Sequence, residues 1–110
     1  ATVLLVAPLA HAQDDPFPET AAEAIRFYEE ATSPERWISG PVEYIILDYE
    51  RDIWEDLRSD AEREAFIQWF WDRRDADPRD EEHPFKQAFY ERVGSANQRF
   101  SAISTCLPTV

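Results

Sequence analysis

Between Ser59 and Asp75 the chain reads SDAEREAFIQWFWDRRD, and this stretch constrains the fold more than any other. Ser59 is a helix-start residue, and Glu62, three positions on, is placed to reach back to the first free N–H groups. No Gly or Pro interrupts the stretch from Ser59 to Asp75. At about 100° per residue, Phe66, Ile67, Trp69, Phe70 and Trp71 sweep an arc of roughly 200°. A helix lying on a surface needs about half that width, so this one is expected to be covered from two sides. Its four aromatics each bring on the order of 150–250 Å² of burial, which makes it the central helix of a small bundle.

The flanking segments supply the cover. Thr20-Ala21-Ala22-Glu23 is a capping box opening a helix to about Thr32, with Ala21, Ala24, Ile25, Tyr28 and Ala31 on its apolar face. Ser33-Pro34 restarts the chain as a cap and a proline at the first helical position, and Gly40-Pro41 should end that turn. Val42 to Leu47 has β-branched content that favours an extended segment; a single helix running on from Pro41 is the alternative. From Asp48 a helix to about Arg58 is expected to bury Tyr49, Ile53, Trp54 and Leu57. After the acidic stretch DADPRDEE, His83-Pro84 reads as a cap and first helical residue. The last helix is expected to bury Phe85, Phe89, Val93, Ala96 and Phe100, with Ile103 next on the same stripe. The fold class is therefore all-α, about four helices with one short extended segment.

The ends differ from the middle. Residues 1–12, ATVLLVAPLAHA, form an apolar run closing on Ala10-His11-Ala12, a small-x-small pattern. This is the apolar and cleavage part of a secretory signal peptide, and it is too short for a membrane span. It points to an extracytoplasmic protein, periplasmic or secreted. Residues 13–19 read as a mobile acidic leader, 20–101 as the helical domain and 102–110 as an irregular tail.

A formal net charge of −12 disfavours nucleic acid and anionic membrane surfaces as partners. The single Cys106 has no internal disulfide partner. Arg73 and Arg74 project toward the apolar side of the central helix, which is unusual for arginine. They are the candidate contacts for an anion or a partner; the alternative is that they lie on aromatic surface and pair with an acid such as Asp75 or Glu62. Asp75-x-Asp77-x-x-Asp80 lacks the glycine and closing glutamate of an EF-hand loop. His83 has no second His or Cys at ligand spacing, so no metal site and no cofactor is expected. Neither a nucleophile elbow nor a carboxylate pair across a cleft is discernible, and no catalytic residue is assigned.

Three pieces taken together, GPVEYIILDYERDIWEDL, SDAEREAFIQWFWDRRDADP and FKQAFYERVGSANQRF, resemble the N-terminal part of the GWxTD-domain proteins, an exported bacterial family without an assigned activity. The likeness covers roughly Trp37 to Ser101. His83-Pro84 stands where that family usually has Asn-Glu, and the Gly-Trp-x-Thr-Asp motif itself is absent from the chain. The resemblance implies a helical structural or interaction module, the N-terminal piece of a larger protein, whose partner is another protein or the missing C-terminal half. The alternative is a non-catalytic fragment of an extracytoplasmic enzyme or ligand-binding protein whose site lies in that half. If Val42 to Leu47 is a lone strand, its unpaired edge makes self-association possible.

Overall fold

The computed structural model describes residues 17–77, 79 and 82–106, with side chains to residue 100. Its elements are α1 (Ala21–Ile25) continuing into a π-helical turn (Arg26–Glu30), two 3₁₀ turns (Pro34–Ser39 and Pro41–Tyr44), α2 (Asp48–Glu55), α3 (Asp60–Asp72) and α4 (Pro84–Cys106). Among the described residues there is no strand, and no helix is long and apolar enough to cross a membrane. Residues 1–12, expected to be the remnant of a signal peptide, lie outside the described residues.

The all-α fold agrees with the sequence, and so does the central role of α3. Ser59 Oγ accepts from Glu62 N at 3.2 Å, fixing the start of the helix. Phe66, Phe70 and Trp71 are buried. One flank of the arc meets Trp37 and Trp54, with Trp37 edge-on to Phe70 at 5.0 Å between ring centroids. The other flank meets α4, with Trp71 at 5.7 Å from Phe89 and 5.8 Å from Tyr90. These offset and edge-on arrangements suit the ring quadrupoles.

Five expectations need correction. Val42 to Leu47 is neither a strand nor a continuous helix: Pro41–Tyr44 forms a 3₁₀ turn and α2 starts only at Asp48. Pro41 pre-sets the first turn, and Val42 drops fully into the core, so its carbonyl takes both Ile45 N and Ile46 N at 2.9 Å. That closes the turn and removes the unpaired strand edge. On α2, Tyr49 and Ile53 stay exposed while Glu50 and Trp54 are buried.

On α4 the expected stripe is buried only in part: Phe89 lies in the core with Val93 packed against it, but the buried face is rotated toward Tyr90 and Gly94. Tyr90 and Gly94 are buried, whereas Phe85 and Phe100 are exposed and Ala96 faces outward. Polar anchoring sets this rotation: Tyr90 and Lys86 reach Glu29, and Asn97 Nδ2 donates to the Pro18 carbonyl at 2.8 Å. A Cβ on Gly94 would lie 2.6 Å from the Glu19 carbonyl oxygen, so glycine is required for this close approach. The same contacts dock residues 17–19 against α4, so the leader is not loose up to its end. Finally, α4 continues through Cys106, so the irregular tail does not begin at residue 102.

Candidate functional site

Three polar centres and one groove surround the aromatic core. The first is Glu50, fully buried on α2. Arg74, just past the end of α3, meets it with two parallel donors, Nη2 to Oε1 at 2.8 Å and Nη1 to Oε2 at 3.0 Å. Arg74 also donates to the Phe70 carbonyl at 2.9 Å and lies over the Phe70 ring at 3.7 Å. Arg73 adds Nε to Glu50 Oε2 at 3.3 Å, contacts the Tyr49 hydroxyl and lies over Trp69 at 4.7 Å. Burial raises the Glu50 carboxyl, but the Arg74 hydrogen bonds, the Leu47 N–H and the two guanidinium charges outweigh it, leaving its pKa below the ordinary value. The arginines thus face an acid of this chain, and that acid is Glu50 rather than Asp75 or Glu62.

The second centre is Glu29. One extra residue in the π-helical turn, closed by Ala31 N to the Arg26 carbonyl at 2.7 Å, rotates Glu29 inward. Its Oε2 accepts from Trp37 Nε1 at 2.8 Å and from Trp71 Nε1 and Tyr90 Oη, each at 2.9 Å. Lys86 Nζ meets Oε1 at 3.0 Å. One carboxylate therefore satisfies the polar handles of three core aromatics drawn from distant parts of the chain. Burial first, then the Glu29 charge, push the Tyr90 phenol far above its usual value.

The third centre joins the end of α3 to the start of α4. His83 Nδ1 lies 2.9 Å from Asp75 Oδ2, and Phe85 N donates to Asp75 Oδ1 at 3.4 Å. The His83 carbonyl takes the first bond of α4, from Gln87 N at 3.0 Å, so His83 is the cap by backbone while Asp75 caps by side chain from across the loop. Asp72 completes the group: one ligand atom from each of Asp72, Asp75 and His83 lies within 4.8 Å of the others.

The groove, about 580 Å³, runs beside α4 and is lined by Tyr28, Gly40, Tyr44, Ile45, Phe89 and Val93, with Glu43, Arg92 and Asn97 at its polar rim. Tyr44 is 85% exposed, so its ring is available at the mouth.

Of these groups, sequence reading found the arginines and His83. It missed Glu29 and Glu50, because nothing local separates them from the other carboxylates in a chain with 23 acids. No family model, no curated protein and no solved structure matches the chain.

Proposed function

We propose that this chain is an exported helical interaction module, the N-terminal piece of a larger GWxTD-type protein, and that its groove beside α4 receives the C-terminal half of that protein. The observation that carries this reading is the groove itself. Phe89, a core residue, and the half-buried Val93 on α4 form one wall, and Tyr28, Tyr44 and Ile45 face them across it. The groove offers apolar area with a sparse polar rim, which suits a chain segment with a few placed hydrogen-bonding groups. The export half of the proposal rests on the apolar run ending at Ala10-His11-Ala12.

The test uses thiol accessibility. Ala96 is exposed and lines the groove. With Cys106→Ser as background, Ala96→Cys should react freely with a thiol reagent in this chain and slowly once a GWxTD continuation is joined after residue 101. Equal rates would refute the docking. Protection that grows with the concentration of this chain alone would make a second copy the occupant, and sedimentation would show the dimer. N-terminal sequencing of exported protein should begin at Gln13.

A further inference from the structure

We propose that Asp72, Asp75 and His83 form a site for a first-row divalent cation, of which zinc is the best match, tying the end of α3 to the start of α4. The donor set is one imidazole and two carboxylates, a mixture that suits zinc and its neighbours better than calcium or magnesium. First-row ions hold such donors at about 2.0–2.2 Å, which places ligand atoms about 3–3.5 Å apart. The His83 Nδ1 and Asp75 Oδ2 atoms, at 2.9 Å, already meet that spacing. The Asp72 carboxylate needs only a side-chain rotation from within 4.8 Å. An ion entering here takes the place of the direct His83–Asp75 contact, while Asp75 Oδ1 keeps its contact with Phe85 N. Water completes the coordination on the half-exposed side.

Electrostatics favours a cation at this place. Asp72 is the last residue of α3 and Asp75 lies three residues on, so both carboxylates sit where the carbonyl end of the helix already carries partial negative charge. Cations, not anions, are stabilised there. The adjacent arginines do not help, because Arg73 and Arg74 turn to Glu50 and Arg79 pairs with Asp77. Among the described residues no lysine or arginine bridges to Asp72 or Asp75, and Asp72 Oδ1 meets only the neutral Gln68 amide, at 3.1 Å. The Asp75 side chain is nearly fully buried. His83 holds its imidazole on this cluster with φ of 49°, a left-handed conformation that costs a histidine energy.

The experiment titrates the whole chain with zinc chloride by calorimetry and follows Tm with and without the ion. One zinc per chain should bind and raise Tm by mass action. Asp72→Asn removes one ligand at a half-exposed position, and His83→Asn removes another while keeping a residue that tolerates positive φ. Each should weaken binding about ten- to hundredfold while leaving metal-free helix content intact by circular dichroism. Cobalt in place of zinc should give a visible d–d spectrum that both variants lose. No saturable binding at millimolar zinc overturns the proposal. So does binding that survives both substitutions, since it would belong to other groups such as His11 or Cys106.

Discussion

Arg74 closes on Glu50 with two parallel N–H···O contacts, 2.8 and 3.0 Å, clamping α3 to a helix whose only other buried side chain is Trp54. The carboxylate is fully buried and Arg74 is mostly so. Two charges withdrawn from water are tolerated because each is matched by geometry: the guanidinium fork meets both oxygens, and Leu47 N donates to Oε1 at 2.9 Å. The arrangement makes α2 depend on the arginines just past the end of α3.

Breaking this pair from one side should be severe. Arg74→Met leaves a buried carboxylate with Arg73 at 3.3 Å as its one charged partner beside the Leu47 N–H, and about 3 kcal/mol of stability should be lost. Glu50→Gln should be milder, because the amide oxygen still accepts from Arg74. Urea melts of the two variants check the order; a larger loss for Glu50→Gln would contradict the clamp.

Stability should fall at both ends of the pH scale. The Glu50 carboxyl is held below its ordinary value of 4.5, so its contribution is present above that pH and is lost as pH falls through the folded value. The Tyr90 phenol is held above its ordinary 10.0, so its contribution is full below pH 10 and fades as pH rises beyond it. Thermal melts from pH 2 to 11 should show both declines. Tyr90→Phe should flatten the alkaline limb, and Glu50→Gln the acid one.

Gly94→Ala should destabilise the domain although alanine is the better helix former. The added Cβ meets backbone, the Glu19 carbonyl at 2.6 Å, so the leader or α4 must shift. A loss of about 1–3 kcal/mol is expected. Asn97→Ala, which frees the Pro18 carbonyl, should loosen the same contact. Proteolysis at residues 17–20 reports both; an alanine variant as stable as the parent would show that the leader does not pack there.

Aromatic substitutions should separate the core from the exposed end of the α4 stripe. Phe70 is fully buried between Trp37 and Trp71, and Phe70→Ala should cost about 3–5 kcal/mol. Phe100 is 57% exposed with an edge contact to Phe17, and Phe100→Ala should cost under about 1 kcal/mol. Equal losses in denaturant melts would mean that α4 packs by its hydrophobic period after all.

By itself the sequence determined the helical class, the caps at Thr20 and Ser59 and the central place of α3. These arise from local chemistry: Thr20 and Ser59 cap N–H groups three residues away, prolines set first turns, and an arc of aromatics at helical spacing demands cover on two sides. It also pointed to Arg73 and Arg74. Which acid those arginines meet was a tertiary decision, as was the burial of Glu29 beneath Trp37, Trp71 and Tyr90. Both carboxylates are indistinguishable along the chain from exposed neighbours; they are chosen by donors far away in sequence that would be costly to bury unpaired. The face of α4 was decided in the same way. Its apolar period proposes Phe85, Phe89, Val93, Ala96 and Phe100, but Tyr90, Gly94 and Asn97 have specific partners in the α1 region, and hydrogen bonds with one permitted geometry outweigh an apolar surface that can be covered from any direction.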